Sequence, residues 1–373
     1  MRRGIMQITN IKAIPIRMPL EHAFDGSTYA MTERCTIISI VETDEGIIGR
    51  VFIGDNRDHQ HEVVELINTT IKSILLGEDP LCIERCWQKM FRLTIRLGNR
   101  AQTCAAIAAV DAALWDLLGK ACKQPVYKLV GGFQDSVKPI IIGGYYEKGK
   151  TIGALCEEIL EYKEMGYAGA KVKVGGLSPK EDAKRIEAIR KSVGEDFIIA
   201  CDANQGWTRF EAVDFGLSVK ELNIEWFEEP VQWHDYIPGM NYVREKTGLP
   251  VTAGQSDFFH DACRKMIEAE SVDIINYDVS GGSGITDWLK VAKMAELYQI
   301  KMAHHEDPLI SMHLLAGISL GLYPEYFSQQ RDPLTPKIVA NQPRIENGEV
   351  NVCERPGFGM EFDEDFIAKY RVD

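Results

Sequence analysis

The stretch Gly169-Ala170-Lys171-Val172-Lys173-Val174-Gly175-Gly176 carries the decision about the fold. It reads as a short strand closed by a glycine pair, and residues i and i+2 of a strand point to the same side, so Lys171 and Lys173 project together. Two adjacent ammonium groups oppose one another's protonation, which predicts a lowered pKa for at least one of them. A lysine pushed towards neutrality can serve as a base. Alone, Lys-x-Lys is more often a solvated edge. Its meaning depends on its surroundings.

Those surroundings alternate regularly. From about residue 137, apolar strand candidates recur at 137–142, 169–174, 197–202, 224–228, 251–253, 274–278, 301–305 and 323–327. Helical stretches lie between them, including 152–165, 179–193, 209–222, 261–270, 286–298 and 308–321. Eight strands at roughly 20–30-residue intervals have the βα-unit spacing of a closed parallel barrel. A doubly wound open sheet is the competitor, but no Gly-x-Gly-x-x-Gly follows any strand. Ahead of the barrel, 8–18, 35–42 and 46–53 read as strands. The polar-aromatic loop His22–Tyr29 between the first two is a candidate lid. Helical spacing follows at 58–76, 80–93 and 101–122, the last crowded with small and apolar residues, so the first third is α+β. The tail, 343–373, is polar and turn-rich and is expected to return to the first domain.

Composition narrows the function. The net charge of −13 argues against nucleic acid or an anionic membrane surface as partner, and no apolar run reads as a membrane span. The nine scattered cysteines, odd in number and without Cys-x-x-Cys, read as reduced thiols of a cytoplasmic protein. The start, Met1–Met6, has no apolar core of a secretion signal.

Barrel chemistry sits where strands end. Here the ends read Lys171-Val172-Lys173, Asp202-Ala203-Asn204, Glu228-Glu229-Pro230, Gly254-Gln255-Ser256-Asp257, Asn276-Tyr277-Asp278 and His304-His305-Glu306-Asp307, with Glu325 on strand eight. Singly, each has a bland explanation, a helix cap or a solvated acid. Seven consecutive strands bringing polar groups to one rim is costly unless they serve one another or a ligand. Asp202 and Glu228, with an oxygen from strand five, suit Mg²⁺, which prefers oxygen donors and keeps open positions. Lys173 and His305 are potential bases flanking such a metal, and Asp278 can hold the His305 imidazole in one tautomer. This is apparatus for removing a proton α to a carboxylate. His304 should face away from His305. Gly281-Gly282-Ser283-Gly284 reads as a turn rather than a phosphate cradle.

With these residues in place, the chain resembles the enolase superfamily, and within it the mandelate racemase subgroup. The order and spacing of the motifs match: 26 positions from Asp202 to Glu228, 23 from Gln255 to Asp278, 27 from Asp278 to His305 and 20 from His305 to Glu325. A Lys or His base working with Mg²⁺ is the pattern of that superfamily. The resemblance implies a modified (β/α)7β TIM barrel over 131–333, an N-terminal α+β capping domain over 1–130, and a C-terminal segment, 334–373, that completes the cap. It implies Mg²⁺ as cofactor, a small-molecule carboxylate as substrate and a homo-oligomer. By position, Lys173 would be one acid/base and Lys171 a contact to the substrate carboxylate. His305 and Asp278 would form the opposing dyad, Glu325 would assist at the carboxylate, and Asp202 and Glu228 would hold the metal. The muconate-lactonising subgroup would place a lysine at the end of strand six, where this chain has Asp278. One position departs: the third metal ligand is usually Glu, and here it is Gln255, with Asp257 as an alternative. Asn204, Tyr145, His22, Phe24, Tyr29 and Asp257 are candidate substrate contacts. The first expectation is dehydration of a sugar acid to a 2-keto-3-deoxy acid. Racemisation, epimerisation or cycloisomerisation is the alternative, and a non-catalytic ligand-binding barrel comes last.

Overall fold

The computed structural model describes residues 6–55 and 57–372. Three antiparallel strands, Ile8–Asp25, Ala30–Thr43 and Ile48–Ile53, form the cap sheet in sequence order. The first two are longer than the sequence suggests, because after an irregularity beyond Pro19 pairing resumes within the candidate lid: Phe24 pairs with Met31 and Asp25 with Ala30. Helix Arg100–Cys122 packs on this sheet, with a buried face that includes Ile107, Val110, Leu114 and Leu117. At 23 residues it is long and apolar enough to cross a membrane, which corrects the reading that no run has that character. Its apolar surface is satisfied in the protein core, where 72% of its most apolar window is buried.

Eight parallel strands close the barrel: Ile140–Gly143, Gly169–Lys173, Ile198–Asp202, Ile224–Glu228, Val251–Ala253, Ile274–Asn276, Lys301–His304 and Gly321–Phe327. We refer to them as barrel strands one to eight. Strand eight pairs with strand one through Glu325 and Ile140, which removes both sheet edges. Helices connect successive strands. One of these, Tyr236–Thr247, is absent from the sequence reading. Pro238 and Gly239 in its first turn disguise the pattern, although proline is tolerated there because first-turn N–H groups have no partner within the helix. The stretch 137–142 divides in two. Pro139 interrupts it, leaving Ser136–Val137 to pair with Glu349–Asn351 in a small separate sheet and Ile140–Gly143 to enter the barrel.

The C-terminal residues pack where the tail was expected. Ile338, Val350 and Ile367 join Ile14, Ile16, Ile38 and Phe52 of the cap sheet in one apolar cluster. Cap and barrel are also tied by polar contacts. Asp111 of the long cap helix accepts from Thr286 N (2.8 Å) and Thr286 Oγ1 (2.7 Å) at the start of helix Ile285–Leu297. The cap is thereby held over the mouth of the barrel.

Candidate active site

The lysine pair sits inside the barrel, with Lys171 0% and Lys173 2% exposed. A built turn fixes its position. Gly175 is left-handed (φ 93°), and a Cβ there would stand 2.7 Å from the Ala203 carbonyl oxygen, so only glycine fits. Asp182, in the first turn of helix Pro179–Val193, accepts from Gly175 N at 2.9 Å, and Arg185 donates to the Lys173 carbonyl at 3.0 Å.

The lysines do not titrate as their adjacency predicts. Burial pulls both pKa values down, but carboxylates outweigh it, and both lie above the ordinary lysine value. Lys171 Nζ is 2.6 Å from Glu325 Oε1 and 3.0 Å from Glu228 Oε1; Lys173 Nζ is 2.6 Å from Asp202 Oδ2 and 2.9 Å from Asn204 Oδ1. Opposite charges at hydrogen-bond distance exceed the repulsion between two like charges whose partners shield them. The expectation of a lysine driven towards neutrality by its neighbour is therefore corrected.

Asp202 and Glu228 end adjacent strands and pair in register. Asp202 also accepts from Asn204 N (2.9 Å). Burial raises its pKa, but Lys173 and Lys171 bring it below the ordinary value. Glu228 is fixed from both sides, by Trp226 Nε1 at 2.8 Å and Asn276 Nδ2 at 2.8 Å. Burial, opposed by Lys171, pushes it up to about 7. Gln255 follows barrel strand five. Its Nε2 donates to Glu229 at 2.8 Å, and its Oε1 is buried without a partner. Among the described residues no group of three His, Cys, Asp or Glu is gathered as a metal site. Asp202, Glu228 and the unpartnered Gln255 amide nevertheless all offer oxygen, the donor type Mg²⁺ prefers. Asp257 is not on the cavity wall; it faces Glu229, and burial raises it to about 7.

Across the cavity, His305 Nδ1 is 2.8 Å from Asp278 Oδ2, and the imidazole side chain keeps 20% exposure. Burial lowers its pKa, yet Glu306 and the bond to Asp278 take it up to about 9. Asp278 Oδ1 is held by Ser280 N at 2.6 Å, so the segment after strand six is a turn anchored on this carboxylate. His304 points the other way: it is buried, accepts from Val279 N at 3.3 Å, and burial lowers its pKa. Asn204, Gln205, Glu229, Glu306 and Asp307, all just past strand ends, are non-glycine residues with left-handed φ. Such backbone costs about 1–3 kcal/mol per residue and gathers at functional sites.

The cap closes the mouth. Ser27 Oγ donates to the Ala203 carbonyl at 2.7 Å, and Asp25 exchanges backbone hydrogen bonds with Tyr146. The ring centroids of Tyr29 and Tyr145 stand 5.8 and 5.7 Å from Lys173 Nζ. The cavity beneath the cap, about 290 Å³, is walled by Tyr29, Tyr145, Asn204, Gln255, Asp278 and His305, together with Arg34, Asp55, Arg57 and Glu306. His22 is exposed and off this wall. Phe24 is buried against Tyr145, with ring centroids 4.5 Å apart. Arg34, Asp55 and Arg57 are absent from the sequence reading, because they come from cap strands and a loop that carry no motif. Arg34 lies 3.6 Å from Asp55 and 3.7 Å from Glu306, Arg57 is 3.5 Å from Asp55, and both Asp55 oxygens are buried without a hydrogen-bond partner. Burial, opposed by the two arginines, pushes Asp55 up to about 6.

Comparison with known proteins places this arrangement in a family. Residues 7–131 match the mandelate racemase / muconate lactonizing enzyme N-terminal domain, and residues 154–366 match the enolase C-terminal domain-like family. An arabinonate dehydratase of Saccharolobus solfataricus is 33% identical, with 89% of each chain covered. An N-succinyl-L-Arg/Lys racemase of Bacillus cereus is 31% identical, with 98% of each covered. A mandelate racemase/muconate lactonizing enzyme from a marine actinobacterium, solved in complex with magnesium, is 41% identical with a TM-score of 0.92, covering 99% of this chain and 100% of the other.

Proposed function

We propose that this chain, which belongs to the mandelate racemase/muconate lactonizing enzyme family and is an enzyme of the enolase superfamily, dehydrates a sugar acid to a 2-keto-3-deoxy acid. Asp202, Glu228 and Gln255 would hold Mg²⁺. When bound, the ion would supply electrostatic stabilisation of the enolate and, by drawing on Asp202 and Glu228, would loosen the hold of those carboxylates on the two lysines.

The residues divide the remaining work. Lys173 is the base that takes the α proton; Asn204 and the Tyr29 and Tyr145 rings fix its Nζ. Lys171, held between Glu228 and Glu325, neutralises the substrate carboxylate. His305, three strands away around the barrel, rests protonated at neutral pH and gives its proton to the departing β-hydroxyl. Asp278 orients the imidazole and supports its charge. The enol product then tautomerises. Contacts from the cap hold the substrate away from bulk water.

The observation that carries the reading is one cavity with the protonated His305–Asp278 dyad on its wall, Lys173 held behind the wall residues Asn204, Tyr29 and Tyr145, and carboxylate oxygens of Asp55 without a hydrogen-bond partner. Asp55 offers acceptors for hydroxyl groups and little for an apolar ring. Racemisation is the second reading, because the same two groups can take and return a proton on opposite faces. Purified protein, Mg²⁺ and a panel of aldonic and aldaric acids should give a semicarbazide-reactive keto acid. Deuterium incorporation at the α carbon without keto product would favour racemisation, and inertness across the panel would overturn both.

A further inference from the structure

Gln255 is neutral at a place where a carboxylate would be the simpler metal donor, and an amide has a right and a wrong end. Its oxygen can coordinate; its NH₂ can only donate. Something must select between the two orientations, and the neighbouring side chain is Glu229. Its Oε2 accepts from Gln255 Nε2 at 2.8 Å. Its Oε1 accepts from Tyr236 OH at 2.9 Å and Gln205 Nε2 at 3.3 Å, so the carboxylate is braced from the opposite side. Glu229 is 1% exposed and makes no ion pair among the described residues. Its left-handed backbone (φ 38°) turns the chain immediately after Glu228.

We propose that Glu229 is the positioning residue of the metal site: by accepting the Gln255 amide hydrogen, it turns Oε1 rather than Nε2 towards the donor set shared with Asp202 and Glu228. The inference rests on the reading of Gln255 as third metal donor. Two independent observations support it, the three-donor bracing of Glu229 and the buried, unpartnered Gln255 Oε1. The dipeptide Glu228-Glu229 then supplies both a metal ligand and the group that orients the next one. A glutamate at position 255 would need no such help, since its two oxygens are equivalent.

That difference sets the test. Mg²⁺ is titrated calorimetrically into metal-free full-length chain, with Glu229, E229Q or E229L, each in the native Gln255 and in the Q255E background; thermal melting confirms the fold. With Gln255, E229L should weaken Mg²⁺ binding about tenfold or more, the scale seen when a group supporting a metal ligand is removed. E229Q keeps an acceptor oxygen at this position and should lose much less. With Q255E, adding E229L should not weaken binding and should strengthen it, since the group it removes no longer has an amide to orient and instead repels the new carboxylate. Glu229→Ala carries the same expectation should the leucine variant not fold. An equal loss from E229L in both backgrounds, or E229Q as damaging as E229L, would overturn the proposal. No Mg²⁺ binding by the unaltered chain would overturn the metal site itself, and the proposal with it.

Discussion

Replacing Asp278 with Asn keeps the shape beside His305 and removes its charge. In the native site the imidazole is pushed up to about 9, against a value near 6.5 for a free histidine. At pH 8 a group with a pKa of about 9 is about 90% protonated, and one at about 6.5 only about 3%, a ratio of about thirty. Glu306 is still present in Asp278→Asn and continues to support the charge. Burial and Lys171 pull the other way, so a loss of about thirtyfold, which takes the variant imidazole at the free value, is the order expected at pH 8. The sign is fixed: a raised pKa means the acid form is complete at low pH and lost as pH rises through about 9. The alkaline limb of kcat/KM should accordingly move to lower pH in the variant, with the loss shrinking below pH 6. Stability follows the same sign, since the contribution of the protonated imidazole is fully present below about 6.5 and disappears as pH rises through about 9. Steady-state rates from pH 5.5 to 10, paired with an NMR titration of the His305 ring, measure both. An alkaline limb and ring pKa that stay in place in Asp278→Asn would refute the assigned role of the dyad.

Other consequences concern specificity, closure and stability. Asp55 lies on the outer cavity wall with neither oxygen hydrogen-bonded, so Asp55→Asn should raise KM for an aldonate about tenfold with a smaller change in kcat, and an unchanged KM would contradict this. Ser27→Ala removes a lid contact of 2.7 Å to the strand-three turn and should raise KM a few-fold, read from initial rates, without shifting the pH profile. Asp111→Ala leaves Thr286 N without its partner at the cap–barrel junction and should cost about 1–3 kcal/mol in urea unfolding.

Much of this protein is legible in its sequence for a physical reason: the barrel's strand–helix alternation is local, and so is the delivery of polar residues to strand ends. Asp202, Glu228, Asp278 and His305 could be found that way because each stands at, or within two residues of, the end of a short strand. The sign of the lysine pKa shift could not, because the partners of Lys171 lie 57 and 154 residues away and only barrel closure brings them within 3.0 Å. Arg34, Asp55 and Arg57 escaped for a similar reason: the cap sheet aims them at a cavity formed by another part of the chain. Helix Tyr236–Thr247 was hidden by Pro238 and Gly239, and the division of 137–142 turned on a single proline.

The division of labour proposed here has Lys173 remove a proton α to a carboxylate and His305 complete the elimination. It is tested most directly by following an active sugar acid by proton NMR in D₂O, with the native enzyme, Lys173→Met and His305→Asn. The native enzyme should yield a keto acid, and both variants should lose at least about 10²-fold in rate. With Lys173→Met the α proton should persist in unconsumed substrate. Undiminished α-proton loss and keto-acid formation in Lys173→Met would contradict it.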